Sequence, residues 1–412
     1  VDEAGAGNLN KKARAEGNAS GGSLGLAGNG VDAEAAASPN VEAGIDSDLT
    51  TIDGDIIISA VANNIAVVDE SPSITIGLTL AVGAVIEEAT ASGTTQARFG
   101  GSQINGNGDL SIESINLSRA DARAMAAGGG LISGAGADAT STTSPFVTSY
   151  ISPNATISVS GDVNILASAE IGSRAEALGI SGGALAVGAS LSDATASPIV
   201  HAGLGDPIYS AAQTATSGNI EVKAANLTIS SVTTILATNG NGYAAYAKSN
   251  GSAGALIGVT ATDSEVTNNS HVRSYVGDSS SLTIAGNTTV SAVNNTKQKA
   301  EADANVGGVI AVGVVDASAS SNTITESYLG TMVNLTGSSL EISAIGHDDT
   351  FAETSAGSGG VVAGSAAISE TSNASVTRAI IKDDSVINLT TDWDLDGIID
   401  AADIQARDFN NN

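Results

Sequence analysis

Apolar and polar residues alternate along most of this chain with a period of two, and almost nowhere with the period of a helix. Val41-Glu-Ala-Gly-Ile45, Thr95-Gln-Ala-Arg-Phe99, Val147-Thr-Ser-Tyr-Ile151, Val272-Arg-Ser-Tyr-Val276 and Val376-Thr-Arg-Ala-Ile380 share one such pattern. Leu110-Ser-Ile-Glu-Ser114, Val163-Asn-Ile-Leu-Ala167, Ile220-Glu-Val-Lys-Ala224 and Leu340-Glu-Ile-Ser-Ala344 share another. This alternation predicts strands with one buried face. Turn formers such as Gly161-Asp162, Asn105-Gly106 and Ser338 separate them. The Ala-rich run from Lys299 to Asn305 also alternates at period two, which predicts a strand with a small-residue face rather than a helix.

A third segment, rich in Gly and Ala, marks a repeat. GGALAVGASLSDATAS at Gly182 is echoed from Gly21, Leu80, Gly129, Gly254, Gly307 and Gly359. Aligned on the small residue after the apolar pair, the anchors are Ala27, Gly83, Gly134, Gly188, Gly258, Gly313 and Gly364, which puts the period near 54 residues. The one long interval, from Gly188 to Gly258, predicts an insertion at about residues 203–218. Each repeat supplies three or four strands and cannot bury its apolar face alone, so neighbouring repeats must stack. The expected fold is all-β: a parallel β-solenoid of about seven repeats over residues 1–390, followed by an acidic segment at 391–412. The anchor residues are expected where two layers approach closely, and polar positions such as Ser192 on the solvent side. A second arrangement stays open. A Gly182-Gly183 turn would make an antiparallel hairpin pairing Ile180 with Leu185 and Leu178 with Val187.

Composition narrows the function classes. A net charge of −29 over 412 residues argues against nucleic acid and against an anionic membrane. No apolar run reaches the length of a membrane-spanning helix, so no membrane insertion is expected. The absence of Cys suits a protein exported unfolded as well as one kept in the cytosol. The start, VDEAGAG, has no signal-peptide pattern, and the chain is expected to be a segment of something longer.

The succession G-G-A-x-A-x-G, V-x-A-x-I and G-D-V-x-I-x-A resembles the repeats of very large secreted bacterial surface proteins, the filamentous haemagglutinin-like adhesins and autotransporter passenger domains. The resemblance covers roughly residues 8–390. It implies an extended β-helical stalk or filament outside the cell, at the cell surface. Partners would be other copies, neighbouring segments of a longer chain, surface glycans or other cells.

One motif carries explicit chemistry. From Asp392 to Asp403 acids stand at positions 1, 3, 5, 9 and 12 with Gly397 at position 6, a spacing similar to the calcium loops of EF-hand and dockerin type. Asp392, Asp394, Asp396 and Asp400, the Ile398 carbonyl and Asp403 would surround one Ca²⁺ ion. Elsewhere Asp46, Asp48, Asp53 and Asp55 read as a solvated turn, His347-Asp348-Asp349 as a surface corner, and His201 and His271 as surface positions. No G-x-S-x-G, H-E-x-x-H or phosphate-binding loop occurs, and the few aromatic residues are scattered. The expected role is therefore non-enzymatic: a structural or adhesive protein stabilised by calcium. The alternative is a β-helix enzyme acting on polysaccharide, or a glycan-binding module.

Overall fold

A computed structural model describes residues 13–207, 218–236 and 242–390, together with the backbone of 402–411. Strand accounts for 82% of the described residues, and no helix occurs among them. The all-β expectation holds. Every described pairing is parallel, and each joins a strand to its counterpart one repeat away. Leu110 faces Val163, Leu26 faces Leu80 and Ile310 faces Val362 across such ladders.

Three ladders run through the repeats. The first contains the pattern starting at Val163, the second the short strands Ile199–Leu204, His271–Val276 and Ile324–Leu329, and the third the strands Thr156–Val159, Glu221–Ala224 and Ser281–Ile284. The third is a sheet of seven strands in sequence order, one from each repeat. Ile220 to Ala224 had been grouped with Val163 to Ala167 on pattern alone. In the structure Glu221 instead faces Thr156 and Ser281, so this segment belongs to the third ladder. Both patterns bury alternate aliphatic residues, and alternation carries no label for the ladder.

The large aliphatic side chains meet in the body of the repeats. Phe99, Ile104, Leu110, Ile112, Ile151, Ile157, Ile165 and Leu204 are fully buried in one contiguous core. Hydroxyls tie the first ladder to the second: Ser149 donates to the Leu166 carbonyl and Ser274 to that of Ser291, both at 2.6 Å.

The glycine-rich segment builds a thin flange. In Val163–Ala196 the chain runs outward to Ala184 and then back. The outgoing and returning legs lie back to back. Ser192 reaches Ser249, one repeat on, at 2.9 Å, and a Cβ placed on Gly179 would lie 2.8 Å from the Ser190 hydroxyl. The reversal falls where the hairpin arrangement places its turn, but its antiparallel pairing is absent. Leu185 pairs in parallel with Ile132 and Ile257, and Ile180 with Ala127 and Ser252.

The flange inverts the expected faces. Ser192 is buried, 4% exposed, whereas Leu191 is 46% exposed. Gly, Ala, Ser and Thr fill most of the gap between the legs, with Val85, Val306 and Val315 buried among them, so most of the bulkier aliphatic residues point outward. The anchors also fail to share one position. Gly83, Gly188 and Gly313 fall in a column with Ala135 and Thr260, but Gly134 and Gly364 lie one residue away, and Ala27 and Gly258 two residues away. One residue changes the face, so Gly134 and Gly364 point outward. The glycine demanded by packing is another one. A Cβ on Gly183 would stand 2.0 Å from the Gly130 carbonyl, and one on Gly308 2.2 Å from that of Ala255.

The inserted residues enter at two places rather than one. Ile151 and Leu204 are 53 apart across their ladder, whereas Thr156 and Glu221 are 65 apart. Ile171 and Ile235 are 64 apart, and Ser173 and Ala245 are 72 apart. The second addition falls between Ile235 and Ala245, beyond the expected 203–218.

These contacts set up an internal control at the crest. Gly183→Val should destabilise by about 1–3 kcal/mol, because a backbone carbonyl must move to admit the side chain. Gly182→Val, whose Cβ would meet only the Gly254 carbonyl at 3.8 Å, should cost far less. Thermal melts of the two variants compare them directly; equal losses would refute the packing assignment.

Candidate functional site

Of the proposed calcium ligands, Asp392, Asp394, Asp396, Ile398 and Asp400 lie outside the described residues. Asp403 falls on the strand Ala402–Asn411, whose backbone runs parallel to residues 340–349 with Asp403 opposite Glu341. Thr288 and Leu340 are 52 residues apart across their ladder, and Leu340 and Ala402 are 62 apart. The additional residues enter between Leu389 and Ala402, the stretch that contains most of the acidic motif.

The other acids and histidines are distributed by the repeat. Asp55 accepts the backbone N–H of Asp109 at 3.0 Å, and Asp109 that of Asp162 at 2.8 Å. Asp162 then accepts the Asn226 amide at 2.7 Å, and Asn226 the N–H of Asn287 at 2.9 Å. The short side chain of Asp or Asn thus seals the same corner from one repeat to the next. Asp53 accepts from the Asn107 amide, and Asp48 from the Ser102 hydroxyl and the N–H groups of Ser102 and Gln103. The Ser102 hydroxyl and these backbone donors hold the Asp48 carboxyl below the usual carboxylate range. Asp46 is held low chiefly by its hydrogen bonds from Arg98.

His347 and Asp349 lie 3.9 Å apart on the outer side, but Asp348 does not join them. Asp348 points inward, where Gln298 and Ser375 donate to it at 2.7 and 2.8 Å, while His347 is on the outer side. Strand alternation separates neighbours. His201 and His271, expected at the surface, are both buried. Their strands are covered on both faces: the Tyr275 hydroxyl donates to the Asp206 carbonyl at 2.9 Å, so Asp206 lies against this ladder. Burial, with Arg273 nearby, pushes the His271 pKa down to about 4.

Two charged columns escaped the motif search. Arg273, fully buried, contacts Glu326 at 2.5 Å, and Arg378 contacts the other oxygen of the same carboxylate. On the outgoing face Arg123 lies 3.7 Å from Glu176, Lys248 2.5 Å from Glu301, Lys299 3.0 Å from Glu353 and Lys297 3.1 Å from Asp349. Each pair joins successive repeats, so pairing opposite charges 52 to 54 positions apart would have found them in the sequence. A cavity of about 340 Å³ opens beside this column, lined by Arg123, Met125, Glu176, Leu178, Tyr246 and Lys248. Of its lining residues Arg123, Glu176 and Lys248 are engaged in the ion pairs and Tyr246 donates to Glu301 at 3.1 Å, while Glu70 also lines it. Among the described residues no group of three or more His, Asp and Glu is placed to hold a metal ion.

Comparison with protein-family models, with curated proteins and with solved structures finds no match to the chain.

Glu87 is the buried acid with the clearest chemistry. It stands among alanines, opposite Ala33 and Ala139. Its carboxylate accepts the N–H of Ser71 at 3.1 Å and of Arg123 at 2.8 Å. These two amides lie where the ladder between Ile56–Gly77 and Leu110–Ile151 slips, between Val68 and Ser71, so the side chain replaces missing backbone acceptors. Burial raises its pKa from 4.5 to about 7. A carboxyl whose pKa rises on folding stabilises the fold below its unfolded pKa, and that contribution is lost as pH climbs through its folded pKa. The melting temperature of Glu87→Gln should therefore fall less between pH 5 and pH 8 than that of wild type. Glu87→Ala should be destabilised at both pH values, by about 1–3 kcal/mol for each amide left without an acceptor. Parallel pH slopes for wild type and Glu87→Gln would show that Glu87 does not titrate in this interval.

Proposed function

We propose that the chain is a parallel β-solenoid acting as a non-enzymatic structural or adhesive stalk outside the cell. The observation that carries this reading is how side chains are used between repeats. The corner hydrogen bonds through Asp55, Asp109, Asp162 and Asn226, and the ion pairs 52 to 54 residues apart, all stiffen the stack. Chemistry of this kind transmits length and load. It is spread evenly along the repeats, where a catalytic site would gather unlike groups at one point. The apolar crest and the charged column offer lateral surfaces to other copies, neighbouring segments or glycans.

In the same reading the Asp392 to Asp403 motif takes up Ca²⁺ between the strand Val386–Leu389 and the strand Ala402–Asn411. Five acids in twelve residues repel one another until a cation draws them together. Isothermal titration with calcium should give a dissociation constant of about 10⁻⁵ to 10⁻³ M, the span from weak sensors to extracellular modules. Binding should weaken by tenfold or more in Asp394→Ala and Asp396→Ala. Heat signals unchanged by both substitutions would remove calcium from the proposal, and electron microscopy showing compact rather than elongated particles would remove the stalk.

A further inference from the structure

The returning legs of the flange form one parallel ladder of seven strands, each contributing the same outward positions. The first outward column reads Leu26, Leu80, Ile132, Leu185, Ile257, Ile310 and Val362. Two residues along, the column reads Gly28, Val82, Gly134, Val187, Val259, Val312 and Gly364. These side chains stand well out of the surface; Val187 is 46% and Ile257 43% exposed. Nothing among the described residues packs over them.

Charge is excluded from this region in every repeat. Residues 17–31, 72–86, 124–137, 177–192, 250–262, 304–315 and 356–369 contain no Asp, Glu, Lys or Arg, in a chain that carries 44 acids and 15 bases. Acids begin only at the far margin, with Asp138, Asp263 and Asp316 in the fourth column and Asp193 and Glu265 beyond.

We propose that this face is where two copies of the chain pack together, sheet on sheet, through the columns that contain Leu185, Val187, Ile257, Val259, Ile310 and Val312. Three observations select a second copy. The first is spacing. Side chains recur once per repeat, about 4.8 Å apart over seven rows, and a sheet with the same repeat interdigitates with all of them. The second is area. Seven strands at about 4.8 Å and six residue steps at about 3.3 Å give a projected footprint near 600 Å². The accessible area is larger because side chains protrude, and it approaches the roughly 800 Å² per partner of a standard interface. The third is charge. A two-fold axis along the stacking direction places the acidic margins of the two copies on opposite sides, in solvent, so the net charge of −29 does not meet itself across the contact. The same acidic margin opposes an anionic lipid surface, which attracts basic residues beside an apolar patch. This inference rests on the face alone and stands or falls independently of the stalk and of calcium.

Sedimentation equilibrium of the whole chain tests it, beside Val259→Asp, Val312→Asp and the control Ser252→Asp on the outgoing leg. Wild type and Ser252→Asp should show the same reversible monomer–dimer equilibrium. Each of the two Val variants should raise the dissociation constant about tenfold or more, which corresponds to about 1.4 kcal/mol or more. Because the altered side chains are exposed, circular dichroism and melting temperature should match wild type. Since the chain has no Cys, Val259→Cys gives a unique thiol, which a short bis-maleimide should link into a covalent dimer, whereas Ser252→Cys should not link. A wild type that stays monomeric to sub-millimolar concentration overturns the proposal, as does a dimer indifferent to both Asp substitutions. A monomer that floats with phosphatidylcholine vesicles overturns it in favour of a lipid surface.

Discussion

Parallel backbone pairing between residues about 53 positions apart is the constraint on which everything else depends. It fixes what can stand above what. Because each ladder repeats the same position in the next repeat, every side chain has as its nearest neighbours its own counterparts one repeat up and down. A residue that suits this arrangement must therefore suit stacking on a copy of itself, or on whatever substitution has replaced that copy. The body meets this demand with columns of Ile, Leu and Val, and the corners with Asp and Asn, whose side chains reach the next backbone amide.

Layer spacing then decides composition. In the body the ladders stand far enough apart for Ile165, Leu204 and Val222 to meet in one core. In the flange the two legs approach so closely that mostly Ser, Ala, Gly and Thr fill the gap, cross-linked by hydroxyls such as Ser141 to Ser173 at 2.7 Å and Ser192 to Ser249 at 2.9 Å. Aliphatic residues still favour the extended backbone, but apart from a few such as Val85, Val306 and Val315 they stand on the outer faces, which have more room. The usual distribution of polar and apolar residues is thus reversed over a third of each repeat, with no change in strand content.

This reversal explains what could be read from the chain and what could not. Strand character, the repeat near 54 and the number of copies were legible because alternation and recurrence are local signals. Register was not. Gly83, Gly134 and Gly258 look equivalent in the sequence, yet they fall in three adjacent columns, since a run of small residues gives no mark of its starting point. The orientation of Ser192 was misread because a polar residue was assumed to face water. His201 and His271 read as surface positions because alternation gives no sign that their strands are covered on both faces, where the Tyr275 hydroxyl reaches Asp206. The ion pairs were legible in principle, once opposite charges are sought one repeat apart instead of as nearby motifs.

Stacking copies of an acidic repeat has an electrostatic consequence that organises the remaining surface. Identical acids in register would lie about 4.8 Å apart along the whole stack, and each carboxylate would raise the pKa of the next. The chain relieves this in three ways. Where bases are available they alternate with acids, as in the sequence Arg123, Glu176, Lys248, Glu301 and Glu353, the last two shared with Lys299. At the corners, hydrogen bonds from backbone amides neutralise the carboxylates without using a base at all. Elsewhere the acid column is interrupted by an apolar residue, as where Leu191 separates Asp138 from Asp263. Glu34 and Glu88, Asp263 and Asp316, and Glu341 and Asp403 remain direct neighbours across their ladders; burial and then the Asp316 charge raise the Asp263 pKa.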